Sequence, residues 1–330
     1  MSNLHLLSVA PMMERTDRHF RFLLRLVSPN SWLYTEMINA SAITEGGQIR
    51  LLRYSQSEHP VALQLGGSEE KNLARAAISG AKMGYDEINL NVGCPSSRVQ
   101  SGKFGASLMA KPETVFSCIR AMKQAVDIPV TVKTRLGIDD LDSYEFLKNF
   151  IEVVSEAGCR TVIIHARKAF LAGLSPKENR EIPPLNYERV HQLKKDFPML
   201  EIIINGGINN VDQALRQLQY VDGVMLGREV YKNPFLLGDL DLKIYGTSLI
   251  KSREDVFKEF LAYMKKELDH GTPFKVMTRH LSGLYAGYPG CRAWRRFIGK
   301  LPADRYGYEL LKKFSSQPFQ DSLRMFAASN

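Results

Sequence analysis

Eight short apolar segments, separated by amphipathic stretches, run through the first 230 residues of the chain. They cover residues 6–13, 32–37, 61–67, 87–94, 130–137, 161–167, 202–208 and 223–228. Most of them are nearly continuously apolar rather than alternating, as expected of parallel strands that are buried on both faces. Eight such strands alternating with helices predict an α/β fold, a (β/α)8 TIM barrel. A doubly wound sheet would need an early phosphate-binding glycine loop, and neither G-x-G-x-x-G nor G-x-x-x-x-G-K-[ST] occurs.

The pattern changes near residue 245, where helical periodicity replaces the strands. Residues 245–330 contain 15 Lys and Arg against 8 Asp and Glu, whereas residues 1–244 contain 29 against 27. We therefore expect two domains, a barrel over 1–244 and an all-α domain over 245–330, with helices near 254–268, 275–285, 291–299, 309–314 and 321–327. The basic surplus favours a polyanion-binding face, and a merely solvated helical surface is the alternative.

The four cysteines are widely spaced and include no C-x-x-C pair. This spacing argues against a disulfide framework and a structural zinc site, and it favours a reducing cytoplasm with no bound metal. No basic region precedes the first apolar run, and no apolar run approaches 18 residues, so we expect neither a signal peptide nor a membrane span.

Polar and reactive side chains stand where the predicted strands end. Active sites of (β/α)8 barrels lie at these carboxyl ends, and polar groups there cost burial energy unless something uses them. The strand ends supply Pro11, Met12, Met13, Gln64, Asn91, Cys94, Lys133, Arg135, His165, Arg167, Asn205, Gly206, Gly207, Gly227 and Arg228. The sequence therefore predicts one site that draws on most of the barrel.

Two glycine-containing turns in this set predict a phosphate site. Asn205-Gly206-Gly207 and Gly227-Arg228 follow strands seven and eight, where barrels commonly bind phosphate through bare backbone N–H groups. Arg228 adds a charge-assisted donor. Ordinary strand-to-helix turns are the alternative.

Three further predictions concern the centre of the site. Lys133 and His165, on adjacent strands, should face one cavity, since lysine is seldom buried without a purpose. The amides of Gln64 and Asn91 match the donor–acceptor edge of an isoalloxazine or a pyrimidine. Cys94, beside proline on a loop after a buried strand, is placed for chemistry, although many free cysteines are inert core residues.

Five segments of the sequence resemble the tRNA-dihydrouridine synthase family. They read SVAPMM at 8–13, NLNVGCP at 89–95, VKTR at 132–135, IHAR at 164–167 and NGGI at 205–208. The run HARKAFLAGLSPKENR at 165–180 is similar to the A subgroup in particular. The resemblance extends over nearly the whole chain. Subgroup A usually reads FGACLM where this chain has FGASLM, with Ser107.

The resemblance implies a flavoenzyme that binds FMN, reduces it with NADPH, and reduces the 5,6 double bond of a uridine in the D-loop of tRNA. Subgroup A implies positions 20 and 20a. Hydride would reach C6 of the uracil, and Cys94 would protonate C5 as the general acid, because a cysteine thiol is mostly protonated at neutral pH. The target base must leave its stack, so the enzyme must also bind the phosphate backbone of the tRNA around it.

The resemblance also assigns roles to individual residues. The implied FMN contacts are Pro11, Met12, Met13, Gln64, Lys133, His165, Asn205, Gly206, Gly207, Gly227 and Arg228. The implied tRNA contacts are Asn91, Arg98, Lys177, Arg180, Arg292 and Arg295. Trp294 lies among arginines in Cys291–Arg296, which suits RNA binding, whereas a buried tryptophan with surface arginines is the alternative. We expect a cytoplasmic monomer that binds neither DNA nor membranes.

Two other functions remain open at this stage. An FMN barrel acting on a free base, such as a dihydroorotate or dihydropyrimidine dehydrogenase, would share the fold and the flavin site without needing a basic helical domain. A non-catalytic RNA-binding protein would share the basic domain and would be colourless.

Overall fold

The barrel is closed by parallel strands at the predicted positions. The computed structural model describes residues 5–247, 251–319 and 321–322, and the strands are those of that part of the chain. They are β1 Leu7–Val9, β2 Trp32–Tyr34, β3 Ile38–Asn39, β4 Val61–Gly66, β5 Glu87–Val92, β6 Val130–Arg135, β7 Thr161–His165, β8 Glu201–Asn205 and β9 Gly223–Leu226. The sheet runs β2-β1-β9-β8-β7-β6-β5-β4-β3, and pairing of β2 with β4 closes it. The predicted TIM barrel is confirmed, and short β3 is an addition that pairs with β4 alone.

Helices follow most of the strands. They are α1 Arg18–Val27, α2 Ala40–Thr44, α3 Glu70–Met83, α4 Ser97–Ser101, α5 Pro112–Ala125, α6 Tyr144–Glu156, α7 Tyr187–Asp196, α8 Val211–Gln217, α9 Arg228–Lys232, α10 Phe235–Tyr245, α11 Arg253–Asp269, α12 Phe274–Thr278, α13 Cys291–Lys300 and α14 Arg305–Ser315. Among the described helices, none is both long and apolar enough to cross a membrane.

Alternating residues of the strands fill the barrel interior. Ala62, Ile163 and Ile203 belong to a buried apolar cluster with Trp32 and Met225. Successive strand residues point to opposite faces, so residues at even spacing from these three also face inward. The inward set therefore includes the polar residues at the ends of the same strands.

The chain divides into two compact units at a place that differs from the expected boundary at residue 244. The first unit holds the residues up to Thr16 and Ser31–Gly227, and the second holds Asp17–Asn30 and the residues from Arg228 onward. Within the second unit, the backbone N–H and side-chain amide of Asn30 donate to Asp241 on α10 at 3.0 and 2.9 Å. Helix α1 therefore belongs with α10, a long-range association that no local pattern in the sequence indicates.

The second unit has an aromatic core. Trp294 is fully buried, its indole N–H donates to the Leu281 carbonyl at 2.8 Å, and its ring meets Phe257 edge-on. The helices predicted near 254–268, 291–299 and 309–314 are confirmed as α11, α13 and part of α14. The helix predicted over 275–285 is instead α12 followed by a 3-10 turn, Arg279–Gly283. Apart from residues 321 and 322, the segment predicted over 321–327 lies outside the described residues.

Candidate active site at the carboxyl ends of the barrel strands

The loop after β5 presents a partly exposed thiol. Strand β5 ends at Val92, and the side-chain oxygen of Asn91 accepts hydrogen bonds from the backbone N–H groups of Gly93 at 3.2 Å and Cys94 at 3.0 Å. The Cys94 carbonyl accepts from the N–H of Ala106 at 2.9 Å. These bonds hold the loop while leaving the Cys94 side chain partly exposed. Cys94 is therefore not a core cysteine.

The other cysteines differ from Cys94 in place or environment. Cys118 and Cys159 are fully buried, and burial raises the pKa of each thiol to about 12. Cys291 is partly exposed and begins α13 in the second unit. Cys94 is thus the accessible thiol of the barrel unit.

A buried guanidinium ties this loop to the long loop after β7. Arg135, the last residue of β6, donates from Nε to the Gly93 carbonyl at 3.0 Å. Its Nη1 donates to the carbonyls of Lys168 and Asn179 at 3.1 and 2.9 Å. Burial lowers the pKa of Arg135 to about 10. The sequence predicts that Arg135 lies at a strand end but indicates no role for it. Its acceptors are backbone carbonyls, which every residue type has, so no sequence pattern identifies them.

Lys133 points toward the same end of the barrel and meets Asn205. Its ammonium donates to the Asn205 side-chain oxygen at 3.0 Å, and the Asn205 amide donates to the Met225 carbonyl at 2.7 Å. Burial, and then the charge of Arg135, lower the pKa of Lys133 to about 7. Burial also lowers the pKa of His165 well below its usual value, and the nearby cations Arg135 and Lys133 act in the same direction. The site thus holds a neutral imidazole and a lysine whose ammonium form a nearby anion would stabilise.

The turn after β8 requires its two glycines. Gly206 and Gly207 have φ values of +113° and +72°, which L side chains rarely adopt. A Cβ at Gly206 would lie 2.6 Å from Cδ2 of His165, and one at Gly207 would lie 2.4 Å from Cδ1 of Leu185. The Tyr187 hydroxyl donates to the Gly206 carbonyl at 2.7 Å.

This turn leaves backbone donors available, as does Gly227. In the described part of the chain, the N–H groups of Gly206, Gly207 and Gly227 donate to no acceptor. A Cβ on Gly227 would lie 3.9 Å from the sulfur of Met12, so the ends of β1 and β9 come together here. Pro11 and Met12 are partly exposed, and Met13 is 57% exposed. Unpaired backbone N–H groups near the half-buried Lys133 suit an anion.

The side-chain amides of Gln64 and Asn91, which are predicted to contact the edge of a heterocycle, are hydrogen-bonded to each other. The Asn91 amide donates to Gln64 Oε1 at 2.9 Å, and Gln64 Nε2 donates to Asn89 at 2.8 Å. Both residues are buried. Each amide nitrogen retains one further hydrogen, and Gln64 Oε1 retains one further lone pair, so contact with a ligand edge is still possible.

Three of the predicted RNA-facing residues of the barrel unit follow strands β5 and β7, whereas Asn91 is buried within β5. Arg98 is exposed on α4, and Lys177 is exposed. Arg180 ends the 3-10 turn Glu178–Arg180 and is partly exposed. It shares a loop with Asn179, whose carbonyl binds Arg135.

The second unit carries the remaining predicted residues. Arg228 begins α9. Arg292 and Arg295 are exposed on α13, a helix without acidic residues, and Arg296 and Lys300 are exposed with them. Trp294 of the same helix is core, so the interpretation that its ring serves RNA is wrong, and the buried alternative is correct. Its position among arginines reflects the helical period, which places cations on the outer face.

Comparison with known proteins identifies the family. The family model for dihydrouridine synthase (Dus) matches residues 8–318. A tRNA-dihydrouridine(20/20a) synthase of Shewanella oneidensis is 57% identical over 294 residues, covering 89% of this chain and 88% of that protein. Proteins of the same name from Vibrio vulnificus and Escherichia coli K12 are 56% and 55% identical, each over 89% of this chain and over 90% and 85% of their own lengths. The chain therefore belongs to the dihydrouridine synthase family.

Proposed function

We propose that this protein reduces uridines 20 and 20a in the D-loop of tRNA to 5,6-dihydrouridine, using FMN and NADPH. The observation that carries the proposal is the partly exposed thiol of Cys94, held at the carboxyl end of a (β/α)8 barrel in a chain that the dihydrouridine synthase family covers from residue 8 to 318. The related proteins named tRNA-dihydrouridine(20/20a) synthase support the choice of uridines. A cytoplasmic monomer that binds neither DNA nor membranes is part of the proposal.

The residues present fit FMN. The unpartnered N–H groups of Gly206, Gly207 and Gly227 suit its phosphate, and Lys133 offers a cation for the ring. On the resemblance alone, Arg228 is a further phosphate donor. The other proposed contacts are Pro11, Met12, Met13, Gln64, His165 and Asn205. Bound FMN, once reduced by NADPH, would supply the hydride that the uracil C6 receives.

Cys94 would supply the proton. Reduction of the 5,6 double bond needs a proton at C5 as well as a hydride at C6, and the thiol is the partly exposed acid on the β5 loop. Asn91 and Arg135 hold that loop from its two sides through Gly93 and Cys94. The residues of the chain thus orient the acid before the substrate arrives.

The tRNA is held by cations on exposed surfaces. Arg98, Lys177 and Arg180 are proposed contacts on the barrel unit, with Asn91 reaching the base. On the second unit, the exposed arginines Arg292 and Arg295 contact phosphates. Such contacts fix the position of the RNA without reading its sequence.

A direct test uses purified protein, unmodified tRNA and NADPH. We expect a yellow protein that forms dihydrouridine at positions 20 and 20a, mapped by sequencing after chemical cleavage. Cys94→Ala should retain FMN and NADPH-driven flavin reduction but lose uridine reduction by about 10²–10⁴-fold. Matched Cys291→Ala, in the second unit, should behave as wild type.

The other two functions predict different results. A free-base dehydrogenase would reduce orotate or uracil and would not be retained on immobilised tRNA. A colourless protein that binds tRNA without reducing it would indicate a non-catalytic RNA-binding role. Near-normal dihydrouridine formation by Cys94→Ala would refute the role given to the thiol.

A further inference from the structure

A chain of buried polar side chains runs along the barrel interior from the Cys94 loop to the amino ends of the strands. Asn91 donates to Gln64 at 2.9 Å, and Gln64 donates to Asn89 at 2.8 Å. Asn89 donates to the hydroxyl of Thr131 at 2.8 Å, and that hydroxyl donates to Glu87 at 2.5 Å. These residues are at most 8% exposed, and nothing in the proposed chemistry uses Glu87, Asn89 or Thr131.

At each end of this row of hydrogen-bonded side chains, the terminal group can act only as a donor or only as an acceptor. At one end the backbone N–H groups of Gly93 and Cys94 can only donate, and they donate to the Asn91 oxygen. At the other end the carboxylate of Glu87 can only accept. The Thr131 hydroxyl has one hydrogen, so it must give that hydrogen to Glu87 and turn its lone pairs to Asn89.

Each amide between these ends then has one possible orientation. Asn89 must present its NH2 group to Thr131, so its oxygen faces Gln64. Gln64 must present its NH2 group to that oxygen, so Oε1 faces Asn91. Asn91 must in turn direct its NH2 group to Gln64 and its oxygen to the Cys94 loop. A reversed chain would set the NH2 group of Asn91 against two backbone donors.

Glu87 also contacts His5. Its second oxygen lies 2.7 Å from Nε2 of His5, whose Nδ1 lies 2.9 Å from Glu201. Burial disfavours protonation of His5, but the hydrogen bonds that its ring donates to Glu201 and Glu87 outweigh burial and raise the pKa of His5 to about 9. A cation therefore faces Glu87 at neutral pH. Glu201 also accepts from the hydroxyl of Thr161 at 2.7 Å, off the amide chain.

We propose that Glu87 is a positioning residue for Cys94, which fixes the Asn91 amide and so the β5 loop through Thr131, Asn89 and Gln64. The geometric part of this inference stands on the hydrogen bonds alone. Its consequence for uridine reduction rests on the proposed role of the Cys94 thiol.

The protein offers a matched pair of substitutions that test this role. Thr131→Val and Thr161→Val each remove one hydroxyl bound to the His5–Glu87–Glu201 cluster, at nearly constant volume, from adjacent strands β6 and β7. Only Thr131 also belongs to the amide chain. Thr131→Ser keeps the hydroxyl and should behave as wild type.

The measurement is the rate at which iodoacetamide alkylates Cys94, followed by peptide mass spectrometry in the absence of tRNA. Cys291 is partly exposed in the second unit and serves as the internal reference. Because Thr131→Val frees the Asn91 amide to turn and release the loop, we expect Cys94 to react roughly fivefold faster, the effect of losing one hydrogen bond. In Thr161→Val and Thr131→Ser, the Cys94 rate should match that of wild type.

An unchanged or slower rate in Thr131→Val overturns the inference, and so does equal acceleration in Thr161→Val. If Thr131→Val does not fold, Glu87→Asp and Glu201→Asp form a second pair, and the same acceleration is expected in Glu87→Asp alone. Single-turnover reduction of unmodified tRNA is then measured on the same variants. Faster alkylation with unchanged tRNA reduction would support the positioning role and refute the proposed role of Cys94.

Discussion

Replacing His5 by glutamine tests the buried charge cluster at the amino ends of the barrel strands. His5 is 4% exposed and lies between Glu87 and Glu201, with the Trp32 ring against its own at 4.3 Å between centroids. Its pKa is raised from 6.5 to about 9. Because the folded-state pKa exceeds the unfolded value, the protonated ring stabilises the fold fully below about pH 6.5. That contribution is lost as the pH rises through 9.

The magnitude follows from the two pKa values. The gap between 6.5 and about 9 corresponds to about 3 kcal/mol of unfolding free energy. For a unit of this size each kcal/mol moves the melting temperature by about 2–4 °C, so wild type should melt roughly 6–12 °C above His5→Gln at pH 6.5. At pH 10 the ring is neutral and the two proteins should melt together. Scanning calorimetry of both proteins across this pH range measures the gap.

A second histidine of the barrel unit is the control. His59 pairs with Asp86 at 2.6 Å, but this pair is partly exposed. Because an exposed ion pair contributes little to stability, His59→Gln should melt close to wild type. A gap between wild type and His5→Gln that stays constant over this range would refute the reasoning, because it would mean that His5 holds no extra proton in the fold.

Three further predictions concern the proposed site. Affinity for FMN should weaken from pH 6 to pH 8 in wild type, because Lys133, with a pKa of about 7, loses most of its positive charge over this range. Fluorescence titration should show no such trend in Lys133→Met. Gly206→Ala should lose FMN and destabilise the fold by about 1–3 kcal/mol, because its φ of +113° and its contact with His165 both oppose a side chain. Gly173→Ala, at a positive φ but in open space, should keep FMN. Arg292→Ala with Arg295→Ala should flatten the log–log salt dependence of tRNA binding by about one to two units while leaving NADPH-driven flavin reduction unchanged; identical slopes in a filter-binding series would exclude this face as the RNA grip.

The barrel could be predicted from the sequence because its strands are short, apolar and regularly separated. Helix ends also leave a signal in the sequence: Gly84 and Gly158 follow α3 and α6, each with a φ of +94°, and such left-handed positions select glycine. The association of α1 with α10 was not predictable, because it depends on contacts such as that of Asn30 with Asp241, 211 residues apart. Local periodicity carries no information about such pairs.

The site was predictable to the extent that residue type reveals chemistry. In (β/α)8 barrels the loop after strand seven commonly binds phosphate, and this chain has Asn205, Gly206 and Gly207 there. In the structure, the Asn205 side-chain oxygen lies 3.0 Å from the ammonium of Lys133. The role of Arg135 could not be predicted, because its partners are backbone carbonyls. The sequence left both interpretations of Trp294 open, because the flanking arginines do not show whether its side chain lies on the buried or the exposed face of the helix.

One signal for the buried polar chain was present in the sequence. Strand β5 alternates Glu87, Asn89 and Asn91 with Ile88, Leu90 and Val92, a strict period of two. In an antiparallel sheet this pattern would place the polar residues in water, but in a parallel barrel the outer face is covered by helices and must be apolar. The polar set of such a strand can then only face inward, where each member needs a partner on a neighbouring strand. Alternation within one strand of a barrel therefore predicts a hydrogen-bonded network in its interior, and β4 and β6 supply the partners here, Gln64 and Thr131.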